Sequence, residues 1–343
     1  MVRRLTGIAA GAVDAGVVRA LQLVGRKGRP PRPVSHPGAV LRELAEVARA
    51  YPADAPDFWR GPEPHRTPVS RLVHPLARGA LLELTWPSDE RPYREGARLK
   101  TQRRNRTAVA RLHAHQAARP TVVLVHGYGA GQWRTEQRLW PLRALYDSGL
   151  DVAQIVLPFH GVRADPRRRG GPPFPSANPR RTIEGMRQAV HDLLDLVGWL
   201  QRRGAPRVGV VGMSLGAYVS ALAATVHPLD ALGLMIPLAS LADYARDHGG
   251  LAVGEVGRTQ HAAIERAYGI IDPLARAPQV GPGRVWIAAA DADRITPPQH
   301  AARLAAHLGA PVQRWPGGHL LQIGRKQADR DLLAFLRRTL TVA

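Results

Sequence analysis

Ser214 closes an apolar, β-branched run that reads Arg-Val-Gly-Val-Val-Gly-Met-Ser-Leu-Gly from Arg207 to Gly216. The helical pattern Ala217–His227 follows at once, so a buried strand must turn sharply into a helix at this serine. Such a turn exposes the hydroxyl on a strained backbone, and Gly212 and Gly216 let strand and helix pass close beside it. A serine hydroxyl is a weak nucleophile at neutral pH. It needs a histidine to take its proton and a carboxylate to orient that histidine. The chemistry this predicts is acyl transfer through a covalent serine.

In the fold that such an elbow marks, the acid and the histidine are expected to follow the nucleophile in the chain, in that order. Beyond the apolar run Val285–Ala289 the sequence continues Ala290-Asp291-Ala292-Asp293-Arg294-Ile295-Thr296-Pro297-Pro298. Asp293 is the preferred acid, because the turn that commonly carries such an acid has a proline four residues later, as Pro297 is here. Asp291 is the alternative; if Asp293 is the acid, Asp291 is expected to bond turn amides. His319 is the candidate base, in Pro316-Gly317-Gly318-His319-Leu320, where two glycines permit a tight loop. His300 and His307 fall in a helical pattern and are expected to be solvated. His227 ends a helix, and His248 and His261 lie in a long insertion.

The charge that develops on an attacked carbonyl requires backbone N–H donors. One is expected from Leu215, directly after the nucleophile. The other is expected from Tyr128, in the loop His126-Gly127-Tyr128-Gly129-Ala130-Gly131 that follows the run Thr121–Val125. A phosphate cradle does not fit this loop. It has no Walker lysine, and Gln132 occupies the last place of a Gly-x-Gly-x-x-Gly spacing.

The elements needed to position these residues recur along the chain. Strand patterns occupy 80–86, 121–125, 152–157, 208–211, 232–236, 285–289 and 312–315. Helical patterns separate them at 137–148, 183–202, 217–227 and 299–307, and 329–340 closes the chain. The arginine-rich stretch 91–119 reads as either strand or helix. Alternation of this kind predicts a mostly parallel sheet covered on both faces, with ligands at the carboxyl ends of its strands.

The 343 residues suffice for a large core. The absence of cysteine excludes disulfides and thiolate metal sites. The formal charge of +21 comes mostly from arginine spread along the chain, and no zinc-finger spacing, basic zipper or aromatic RNA-binding signature accompanies it, so no nucleic-acid partner is expected. Residues 1–25 are too interrupted for a spanning helix and lack the form of a signal peptide, which points to a cytoplasmic protein. Leu5, Ile8, Val13, Val17, Leu21 and Val24 form one helical stripe. It is expected to pack on the body, with an interfacial membrane anchor as the alternative. A basic Pro- and Gly-rich linker (26–37), a short amphipathic helix (40–49) and a proline-dense irregular stretch (51–68) complete an N-terminal extension over 1–68.

Taken together, the His126-Gly127-Tyr128-Gly129 loop, the Gly212–Gly216 elbow, Asp293 before Pro297, and Gly318-His319 resemble the α/β-hydrolase superfamily of serine hydrolases, from about Ala80 to the end of the chain. The resemblance implies an eight-stranded, mostly parallel sheet whose early strands are antiparallel, with helices on both faces, over 69–343. It also implies an acyl-enzyme mechanism with no metal or organic cofactor. One departure is Ala290, which stands where a glycine commonly precedes the acid. A cap or lid is implied at about 237–283, with short helices at 241–246 and 260–268. The excursion 159–181 carries Arg163, Arg167, Arg168, Arg169, Arg180 and Arg181, expected to be a solvated charged loop, with recognition of an anionic substrate as the alternative. The expected function is hydrolysis of a small-molecule or lipid carboxylic ester. The alternatives are a thioesterase or acyltransferase on the same machinery, or a non-catalytic membrane-peripheral or interaction protein.

Overall fold

The run Thr121–Val125 is too short and too apolar for a surface element, and it forms strand β4, buried at every residue. A computed structural model of the chain describes residues 7, 9–16, 37–60, 66–88, 91–94, 103–167 and 170–341. Stripe residues Leu5, Ile8, Val17, Leu21 and Val24, most of the basic linker, and Arg168 and Arg169 lie outside the described residues.

Nine strands form one sheet in the order β1-β2-β3-β5-β4-β6-β7-β8-β9. The early strands β1 (Val69–Leu76), β2 (Gly79–Pro87) and β3 (Thr107–His115) run antiparallel to one another, and β3 runs antiparallel to β5 (Asp151–Val156). β4 is parallel to β5 and to β6 (Val208–Met213), β6 is parallel to β7 (Ala231–Met235), and β8 (Val285–Ala290) is parallel to β9 (Val312–Trp315). The count is nine, not the eight that the resemblance implies; edge strand β1 has no apolar alternation and no sequence pattern marked it. Its residues are largely exposed, it is bulged between Leu72 and His74, and it carries Pro75, as edge strands do. The ambiguous stretch 91–119 contributes β3, which alternates buried Ala108, Ala110 and Leu112 with partly exposed residues.

Packing divides the chain into two compact units. The first comprises Pro56–Met235, Ala277–Trp286 and Asp329–Ala343. Its strands β4 to β7 are buried on both faces, as befits a sheet covered by helices. The expected helix 137–148 is two helices, α3 (Trp133–Leu139) and α4 (Leu142–Asp147). Pro141 forces Trp140 into an extended conformation, which ends the first. α5 (Pro179–Arg202) starts with a proline at its first position and is capped by Asn178, whose side chain accepts the Arg181 N–H at 3.1 Å. Its buried polar residues anchor irregular chain. Arg187 Nε donates to Phe58 O at 2.7 Å, and Glu184 accepts the Tyr93 and Arg94 amides at 2.9 and 3.2 Å. α6 (Leu215–Val226) is apolar all round and almost wholly buried.

The second unit comprises Met1–Ala55, Ile236–Arg276 and Ile287–Ala328. Residues 9–16 form helix α1, and α2 (Pro37–Ala50) buries Leu44 and Val47 and packs on α8 (Gly254–Tyr268), which in turn contacts α7 (Leu241–Asp247). α9 (Pro298–Leu308) precedes β9, and α10 (Lys326–Leu340) starts at the end of this unit and belongs mostly to the first. Among the described residues no helix is long and apolar enough to cross a membrane.

Candidate active site

Ser214 sits between β6 and α6 with φ 55° and ψ −114°, a conformation that L-residues adopt only under constraint. Its N–H is held by Met235 O at 3.0 Å, and its side chain does not cap α6. The flanking glycines are sterically obligatory. A methyl group on Gly212 would lie 2.2 Å from Gly216 O, and one on Gly216 would lie 2.1 Å from Val125 O. The loop after β4 approaches the serine just as closely, since a methyl group on Gly127 would stand 3.4 Å from Ser214 Cβ and 4.0 Å from its Oγ. Leu215 is the first residue of α6, so its N–H has no partner within the helix and stands directly after the nucleophile.

The 126–131 loop is braced from beneath. His126 Nδ1 donates to Gly127 O at 2.7 Å, and its Nε2 accepts the Leu157 N–H at 3.0 Å, an arrangement that needs the neutral ring. Glu136 accepts the Gly131 N–H at 2.8 Å and the Trp140 indole N–H at 2.9 Å, and burial raises its carboxyl above the usual range. His160, 5.2 Å from His126 between ring centres, donates to Pro158 O at 2.8 Å, and the Tyr128 hydroxyl donates to Pro172 O at 3.0 Å. The excursion after β5 therefore supports the residue expected to furnish an oxyanion donor.

Burial, with the neighbouring His160, pushes the His126 imidazole down to about 3, and burial pushes that of His160 to about 4, from an ordinary 6.5. The unfolded chain binds these protons near pH 6.5 and the folded chain does not. Stability is thus complete above pH 6.5 and is lost as the pH falls towards 4 and 3. At pH 5 each ring costs about 2 kcal/mol relative to pH 7 or above. Urea unfolding at pH 7 and pH 5 measures this loss, and it should shrink in His160→Gln. Equal stability at both pH values would refute it.

In the second unit, Asp293 follows β8 and His319 follows β9. His319 Nδ1 lies 2.7 Å from Asp293 Oδ2, and both residues are largely buried. Asp293 Oδ1 accepts the Ile295 and Thr296 amides at 2.8 and 2.7 Å, and Thr296 Oγ1 lies 3.1 Å from Asp293 Oδ2 and 3.0 Å from Ile236 O. The turn amides thus go to Asp293, whereas Asp291, expected to bond them, points outward and pairs with Arg314. The reason is the direction of the chain as it leaves β8. Asp291 N–H still bonds Trp315 O of β9, so its side chain faces solvent at the strand end, and the turn proper begins two residues later.

No protein-family model and no curated protein matches the sequence. Solved structures do match. An acetyl xylan esterase from Paenibacillus sp. R4 superposes with a TM-score of 0.54 at 14% identity, over 91% of this chain and 98% of that one. A lipase in its open form superposes with a TM-score of 0.51 at 15% identity, over 77% of this chain and 100% of that one. The chain has the α/β-hydrolase fold.

Within that fold two further expectations are corrected. Arg163 is neither solvated nor offered to a ligand: it is fully buried, with Nη1 2.8 Å from Asp192 Oδ2. The chain re-enters the body through the short turn Gly161–Arg163, which drives the guanidinium inward. His300, expected on a solvated face, is also buried. Its Nδ1 accepts the Ala239 N–H at 3.1 Å, and burial lowers its basicity. The first turn of α9 faces inward, a matter of helix phase that a short amphipathic pattern leaves open. Among the described residues no cluster of His, Asp and Glu is arranged to hold a metal ion. Sequence reasoning missed Asp14, which takes up the backbone of the His319 loop. Its signal was a lone carboxylate interrupting a small-residue helix face.

Proposed function

We propose that the protein hydrolyses carboxylic esters through Ser214, His319 and Asp293 and a covalent acyl-enzyme. The observation that carries this reading is Ser214 itself, held at positive φ on the β6–α6 elbow beside Gly127. Asp293, bonded to His319 Nδ1, fixes the tautomer that leaves Nε2 free to accept a proton. As Ser214 Oγ attacks the acyl carbon, His319 takes the hydroxyl proton, and the Leu215 and Tyr128 amides stabilise the oxyanion. Collapse breaks the ester C–O bond, and the departing alcohol carries that proton away. Water then attacks the acyl-enzyme, giving its proton to His319, and the acid leaves as Ser214 regains the proton. In this reading residues 237–283 act as a cap over the substrate and residues 1–68 as an N-terminal extension of the hydrolase domain. The substrate is a small-molecule or lipid ester. The two solved structures of the same fold are named as an esterase and a lipase, which agrees with this chemistry.

Labelling with a fluorescent organophosphonate tests it. The expected adduct lies on the peptide containing Ser214, and an aryl-ester series from acetyl to long acyl should then show burst kinetics and size the acyl pocket. Absence of label on folded protein, or label on another residue, would overturn the assignment.

A further inference from the structure

Helix α1 presents Gly7, Ala10, Gly11 and Asp14 at helical spacing, a face of small residues with one carboxylate. Among the described residues of α1, this face is the one that docks. Val13 is 40% exposed, whereas Ala10 and Asp14 are 0% exposed. The approach is close: a methyl group on Gly11 would stand 3.3 Å from Ala292 O, and one on Gly7 would stand 3.3 Å from Pro316 O. α1 therefore lies against the two loops that carry Asp293 and His319.

A fully buried carboxylate is tolerated only when its oxygens are satisfied. Asp14 accepts three backbone amides. Oδ2 takes His319 N–H at 2.6 Å and Arg294 N–H at 3.3 Å, and Oδ1 takes Leu320 N–H at 3.0 Å. Space for it comes from Gly318, where a methyl group would come within 2.7 Å of Oδ2. Arg294 directly follows Asp293, so one side chain ties together the residue after the acid, the base itself and the residue after the base.

We infer that Asp14 is a positioning residue for the base. It fixes the backbone of the His319 loop against that of the Asp293 turn and so sets the distance at which the imidazole meets its carboxylate. The inference rests on the proposed role of His319. Asp14 touches no reacting atom and acts only through the backbone it holds, which makes the N-terminal helix part of the hydrolytic apparatus.

Asp14→Asn keeps the side-chain volume but turns an N–H₂ group towards backbone donors. It is expected to lower kcat on an aryl acetate by about ten- to a hundredfold with KM changed less than threefold, because a misplaced base slows chemistry without altering the ester pocket. The downfield proton signal of the His319 Nδ1–H, identified by its loss in His319→Gln, should broaden or shift in Asp14→Asn at temperatures well below the variant's own, lowered melting point. Val13→Ser, one position away on the exposed side of α1, should leave both readouts unchanged. If Asp14→Asn fails to fold, Asp14→Glu, which retains the charge but displaces it by one methylene, should give the same selective fall in kcat. An unchanged kcat and an unchanged proton signal in a folded Asp14 variant would overturn the inference while leaving the serine hydrolase intact. If the wild type is not labelled at Ser214, the hydrolase reading fails, and the proton signal still decides whether Asp14 positions the imidazole.

Discussion

Ser214→Ala is expected to abolish organophosphonate labelling and to lower kcat on an aryl ester by about ten-thousandfold or more, with the fold intact. The size of the effect follows from the role proposed for it: as the nucleophile, Ser214 is the group on the elbow that forms the acyl bond, and without it the residual rate would reflect binding and the proposed oxyanion donors alone. The substitution removes only Oγ and keeps the backbone at φ 55°. Ser214→Gly extends the result. It should be equally inactive yet more stable than the wild type by about 1 kcal/mol, because glycine adopts this conformation without the strain a Cβ creates. A serine placed there merely as a turn residue would give a Gly variant that is stabilised and fully active. Kinetics and urea unfolding on the two variants separate these outcomes.

Asp192→Ala carries the largest expected loss of stability. Arg163 and Asp192 are both essentially without solvent contact, and the pair lies inside a closed set of bonds. Ser88 Oγ donates to Asp192, Arg163 Nη2 and Gln188 Nε2 donate to Ser88 Oγ, and Arg163 also reaches the carbonyls of Val156 and Asn105 at 3.0 Å. Removing the carboxylate leaves a guanidinium buried without its counter-charge, at a cost of about 3–5 kcal/mol. Replacing both partners by apolar residues, as in Arg163→Met with Asp192→Leu, should restore much of that loss, because the desolvation penalty disappears along with the attraction. Asn105 Oδ1 also holds the Phe159 N–H, and Phe159 leads into His160 under the 126–131 loop, so Asp192→Ala should lower ester turnover as well. An unfolding free energy from urea titration within about 1 kcal/mol of the wild type would refute the assignment.

Much of this molecule is legible from local pattern. β4 coincides with its apolar run, and the ends of β5, β6 and β7 fall within two residues of theirs, because a strand buried on both faces needs a continuous apolar stretch bounded by turn residues. The elbow could be read as well, since only glycine fits where Gly212 and Gly216 meet backbone oxygens, and that demand is written in residue type. β1 was not readable. As an exposed edge strand it needs no apolar face, and its pairing with β2 rests on the backbone and one cross-strand ion pair, Arg71 with Glu83, too little to mark a strand in the sequence.

The sequence by itself determined the order of the candidate residues along the chain: a serine after β6, aspartates after β8 and a histidine after β9. Only the tertiary structure decided which aspartate meets the histidine, because Asp291 and Asp293 differ in the direction they leave β8 and not in type. Tertiary structure likewise decided that Arg163 is buried and that Asp14 serves the His319 loop. Both contacts join residues far apart in the chain, 29 positions for Arg163 with Asp192 and 305 for Asp14 with His319, and both pair a charge with groups whose positions only the folded backbone defines. Composition and period record which residues prefer burial. They do not record which partner waits for a charge once it is buried.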